Sequence, residues 1–170
     1  MQPLNILMLI LFGGAAITAY LVAVGALFPQ PVSKLRAVLE DNQGRLFLIG
    51  LVNSLFLAAI LAGIFFLIQR TGLDVLAAIP GLLVVGFFFV GVSAGLAGTM
   101  QLLAERISPE VSPTRGQLRA AVVLILASAL PYVGWLLFLP YVVFSSFGGF
   151  VTVLMRHFRS DNAEPVEEGG

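Results

Sequence analysis

Charged residues divide this chain into four uninterrupted apolar runs, at 1–33, 46–69, 75–104 and 120–155. A bilayer's hydrocarbon core takes about 20 apolar residues in helical form. The first three runs each fit one helix, over 4–28, 46–68 and 76–103. Lipid offers no hydrogen bonds to a loose backbone, so segments of this length are expected to be helical. The first run lacks a basic leader and is long for a secretory signal, so it reads as a retained helix.

The fourth run is too long for one crossing. Its 36 residues would make a straight helix of about 54 Å, against a core of about 30 Å. Two arms over 113–130 and 135–155 form a slightly tight hairpin. Ser112-Pro113 supplies a cap and an N-terminal proline for the first arm. Pro131 and Gly134, with Trp135 behind them, supply the turn. Pro140 would kink the second arm early, which leaves a re-entrant hairpin as the alternative. The expected fold class is therefore an all-α integral membrane protein with three transmembrane helices and a C-terminal helical hairpin, five membrane helices in one domain over 1–159.

Charge sets the orientation. With a single final crossing, Lys34, Arg36, Arg45, Arg106, Arg115 and Arg119 would be cytoplasmic, and Arg70, Arg156 and Arg159 outside. With the hairpin, only Arg70 stays outside. Basic residues favour the cytoplasmic side, so the pattern predicts an outer N-terminus and a cytoplasmic C-terminus. Tyr132 and Trp135 then fall at the outer interface, where aromatic rings are favoured.

Composition narrows the function more than it names one. The chain is 59% hydrophobic and 11% charged, with a mean hydropathy of +1.02. Soluble domains carry roughly a quarter charged residues. Nine acids balance nine bases, which leaves no basic excess for nucleic acid. With no cysteine and a single histidine, His157, no disulfide, cofactor or metal site is expected. No catalytic set stands out either, and Glu105-Arg106 reads as a helix-end charge pair.

Small residues point to helix packing. Gly50, Ser54, Ala58 and Ala62 recur every four residues in the second helix. Gly91, Gly95 and Thr99 do so in the third, Ala15, Ala19 and Ala23 in the first, and Ser145 and Gly149 in the last arm. These faces suit contacts within the bundle, or between subunits. Asn53 is the strongly polar side chain within a span, expected to bond to a neighbouring helix or to touch a substrate. The Phe-rich stretches GIFFL and GFFFVG are expected to face lipid.

Between the first two spans, PVSKLRAVLEDNQGR places Leu35, Val38 and Leu39 on one face, with Ser33 as its cap. It reads as a short helix in the cytoplasmic headgroup zone. The basic residues on that side follow from orientation, or bind anionic lipid or an acidic partner. The tail SDNAEPVEEGG, four acids without a base, is expected to be disordered over 160–170.

The segments GRLFLIGLVNSLFLAAILAG, AAIPGLLVVGFFFVGVSAGLAGTMQLLAERI and LRAAVVLILASALPYVGWLLFLPYVVFSSFGGFV, with the PYVGW turn, carry a resemblance. In that order, across residues 44–155, they resemble the membrane domains found with bacterial polymer-forming cytoskeletal proteins (bactofilins). The chain departs from that pattern in lacking a β-rich polymerising segment, so no polymer-forming role carries over. The resemblance implies a bacterial inner-membrane protein that anchors or accompanies something else. The expected function is a non-enzymatic accessory or scaffold protein, touching lipid and a membrane partner or further copies of itself. A small oligomeric channel or transporter is the alternative, lined by Asn53, Ser54, Ser93, Thr99 and Gln101. Absence of ionisable residues at membrane depth disfavours an ion-coupled carrier.

Overall fold

The computed structural model describes residues 3–71, 74–107, 110, 112–129 and 132–161. Every regular element among them is helical. In chain order these are α1 (Pro3–Leu27), α2 (Pro29–Asp41), α3 (Gln43–Thr71), α4 (Asp74–Ile107), α5 (Pro113–Ala129), a π-helical turn (Gly134–Phe138) and α6 (Leu139–Asp161). Three of these are long and apolar enough to cross a membrane: α3, α4, and the π turn continuing into α6. The end of α1 makes a fourth when counted with α2, from which it is bent by 106°. At 17 residues, α5 is about 26 Å long, shorter than a full hydrocarbon core. By length and composition the described helices thus give three to four spans, short of the five membrane helices expected.

The long helices overrun the apolar runs that announced them. Polar ends continue the hydrogen-bond ladder beyond the apolar stretch, so α3 starts at Gln43 and α4 ends at Ile107. Similarly, α6 continues to Asp161. This corrects the start of the acidic tail, since Ser160 and Asp161 are helical; the rest of it, 162–170, lies outside the described residues.

The amphipathic segment α2 departs most from its sequence reading. Its helix begins at Pro29, where proline's fixed φ suits the first helical position. Ser33 is therefore not a cap but lies inside the helix, its hydroxyl donating to the Gln30 carbonyl at 2.9 Å. Nor does its apolar face rest on headgroups. Val32 is fully buried, and Leu35 and Leu39 are 1% and 2% exposed, because α2 folds back onto α4 and α6. Gly98 and Gly149 make the seat: an added Cβ at Gly98 would stand 3.3 Å from the Leu35 Cβ, and one at Gly149 3.5 Å from Leu35 Cδ2.

The π turn accommodates Pro140. An α-helical register would press the proline ring against the Leu136 carbonyl. Instead the turn widens, and the Leu139 N–H donates to the Gly134 carbonyl five residues back. The second arm therefore starts one residue early and passes the proline without breaking. Pro131 lies outside the described residues. Gly134 is buried at the head of the turn, whereas Tyr132 and Trp135 are exposed.

Candidate functional site: the α3–α4–α6 crossing and the basic pole

Among the described glycines, several bring helix backbones into direct contact. Where α3 crosses α6, Gly50 faces Gly148 so closely that an added Cβ on Gly50 would run into the Phe144 carbonyl and stand 2.8 Å from the Gly148 nitrogen. Adding one to Gly148 would drive it into the Leu46 carbonyl, 2.8 Å from the Gly50 nitrogen. Only hydrogen side chains permit backbones this near.

On the other side of α6, α4 contributes Gly91 and Gly95. A Cβ on Gly91 would sit 2.7 Å from the Phe150 ring and 2.9 Å from the Phe147 ring; one on Gly95 would meet the Ser146 backbone. Phe147 fills the resulting hollow and is fully buried. Its ring lies 4.8 Å from that of Phe88 and 6.1 Å from that of Phe87, while Phe87 also meets Phe150 at 5.5 Å. Phe88 thus turns inward, correcting a wholly lipid-facing GFFFVG, while Phe87 touches the Phe147 and Phe150 rings but stays 40% exposed. Phe65, Phe66 and Phe89 are exposed. Thr99 of the same α4 stripe stands 3.4 Å from the Ser146 hydroxyl and donates to the Gly95 carbonyl at 3.0 Å. Ser145 is buried, and Gly149 lies against α2.

Two small-residue stripes do not pack within the bundle along their full length. Ser54 is half-buried, but Ala58 and Ala62 are exposed. A four-residue step advances about 40° beyond a full turn, so three steps from Gly50 carry Ala62 about 120° round the helix. The less exposed face of α3 instead follows Gly50, Leu57, Leu61, Ile64 and Ile68, whose mean spacing keeps them in line. Likewise, Ala15, Ala19 and Ala23 are exposed, while Gly14, Thr18 and Leu21 are buried. There α1 sets Gly14 against Ile125 of α5 and sends the Tyr20 hydroxyl to Ser93 of α4 at 3.0 Å.

Asn53 also acts locally. Its amide nitrogen donates to the Ile49 carbonyl at 2.8 Å within α3, rather than to a second helix. Among the described residues, side-chain bonds between helices include Tyr20 with Ser93, Thr99 with Ser146 and Tyr141 with Gln43. Sequence reasoning missed Gly98, Ser146, Phe147 and Gly148. For the last three, the available signal was the stretch SSFGGF, where two small pairs flank a phenylalanine.

One end of the bundle gathers the basic residues. Arg36 of α2 pairs with Glu105 at the end of α4. Lys34, Glu40, Asp41, Arg156 and His157 line a cleft of 690 Å³ between α2 and α6. A second groove, of 550 Å³, holds Arg45 at the start of α3 with Arg156 and Arg159 at the end of α6. Gly116 lies 3.5 Å (as a Cβ) from Ala104, bringing the start of α5 and its Arg115 to this pole. Arg70 lies 25 residues along α3 from Arg45, about 37 Å away, with its guanidinium 5.1 Å from the Phe66 ring centre.

No family model, curated protein or solved structure matches this chain. The fold and surface define an all-helical bundle compatible with residence in a membrane.

Proposed function

We propose that this chain is a non-enzymatic accessory or scaffold protein of the bacterial inner membrane. It crosses five times, through α1, α3, α4, α5 and α6, with its N-terminus outside and its C-terminus in the cytoplasm. The short α5 is counted as a crossing because its start belongs to the basic pole and the chain leaves it toward the π turn. The observation that carries the functional reading is how the polar and small residues are used. Gly50, Gly91, Gly95, Thr99 and Ser146 are engaged between helices, and Asn53 is satisfied by its own helix. They support a solid body rather than a lined passage. Its basic pole and apolar flanks suit it to hold a partner at the membrane surface or beside it. The resemblance to bactofilin-associated membrane domains agrees with such an anchoring role.

Copurification tests this. The chain is extracted from native membranes in a mild detergent through an epitope placed between Asp41 and Gln43. A second protein at stoichiometric yield is the expected result. A homo-oligomer alone, conducting ions or small solutes after reconstitution, would overturn the reading in favour of a channel.

A further inference from the structure

The basic pole carries two clefts of different chemistry. The one between α2 and α6 mixes signs, with Glu40 and Asp41 facing Lys34 and Arg156. The groove between α3 and α6 holds no carboxylate among its lining residues: Arg45, Arg156 and Arg159 share it. Among the described residues, Arg36 has a carboxylate partner, whereas no carboxylate pairs with any of these three. Three guanidinium groups around one groove form a strong, directional anion trap, because each presents planar paired donors to phosphate oxygens.

The groove is also amphipathic. Leu48 and Val52 lie one and two turns along α3 from Arg45, and Met155 faces them from α6. These side chains are 59%, 64% and 62% exposed, so their apolar surface is unspent. A soluble anion would answer the arginines and leave that surface bare. An acidic peptide would bring backbone polar groups against it without partners. A zwitterionic lipid would return a cation to the arginine cluster. We infer that this groove binds an anionic glycerophospholipid, its phosphate on Arg45, Arg156 and Arg159 and an acyl chain along Leu48, Val52 and Met155. Basic pockets between helices on the cytoplasmic side suit such headgroups. The inference rests on the membrane-embedded reading, since it needs this pole at the bilayer surface.

The test is native mass spectrometry of the delipidated full chain in detergent, titrated with phosphatidylglycerol against phosphatidylcholine. Wild type is expected to retain phosphatidylglycerol preferentially. The triple variant R45Q/R156Q/R159Q is expected to bind it about a hundredfold more weakly. The control K34Q/R115Q/R119Q, with the same change in net charge, is expected to stay within a few-fold of wild type. Equal losses in both variants would overturn the site, leaving only diffuse charge. Displacement of the lipid by equimolar inorganic phosphate would overturn the lipid as occupant. Tighter phosphatidylglycerol binding by the triple variant would do the same. Alkaline carbonate extraction of cell membranes reports separately on the embedded reading: a chain released there fails that reading, whatever the lipid titration gives. Circular dichroism of each variant confirms that a loss of binding is not a loss of fold.

Discussion

Gly50 and Gly148 meet without side chains where α3 crosses α6, and neither tolerates a Cβ without moving the opposite backbone. Backbone can yield only by shifting a whole helix, so alanine at either position should cost about 1–3 kcal/mol. Leucine at either should prevent the crossing. Gly63 and Gly86 are the controls, because a Cβ there meets nothing within 4 Å. Alanine at those sites should leave stability unchanged, or raise it by up to about 1 kcal/mol through helix propensity. Thermal unfolding in mild detergent distinguishes the two pairs. Equal effects at Gly50 and Gly63 would mean that the crossing is not close-packed.

The α2 helix should be held by its leucines and not by its ion pair. Leu35 is almost wholly buried against Gly98 and Gly149, so Leu35→Ala should cost about 2–5 kcal/mol. Arg36 and Glu105 keep side-chain exposures of 35% and 53%, and Arg36→Gln should cost under about 1 kcal/mol. Limited proteolysis within residues 29–41 reads the docking directly. Leu35→Ala should speed cleavage, and Arg36→Gln should leave it near the wild-type rate. The reverse order would show that charge holds the segment.

Asn53→Leu should be mild. The amide bonds within α3, so its loss should cost no more than about 1 kcal/mol, whereas severing a bond between helices can reach nearly twice that. Solute flux through reconstituted vesicles should not change. A clear shift in permeability with Asn53→Leu would contradict the filled-bundle reading.

Much of the helical layout was legible, because a run of uncharged residues longer than a bilayer core admits few alternatives. Helix ends were less so: Gln43 and Ile107 extend their helices through polar residues that hydropathy alone discounts. Packing faces were hardest. Spacing by four marks small residues on a helix but drifts about 40° per step, which sent Ala58 and Ala62 outward. In α1, Ala15 and Gly14 are adjacent small residues, and only the partner helix selects Gly14, where an added Cβ would stand 2.9 Å from the Ile125 side chain. The docking of α2 was hidden for a related reason. Its amphipathic pattern suits a headgroup layer as well as it suits a seat made by Gly98 and Gly149, residues distant in the chain. The π turn was signalled by Pro140, which announced a disturbance without specifying that it would be absorbed by a wider turn.

The central claim is that a membrane-spanning bundle presents its basic pole to the cytoplasm. The absence of native cysteine makes a direct test simple. Single cysteines are placed at Gln69, near the Arg70 end of α3, and at Ser160, near the end of α6, and intact cells are treated with a membrane-impermeant maleimide. The account predicts labelling at Gln69→Cys in intact cells, and at Ser160→Cys only after the membrane is opened. Labelling of Ser160→Cys in intact cells would contradict it.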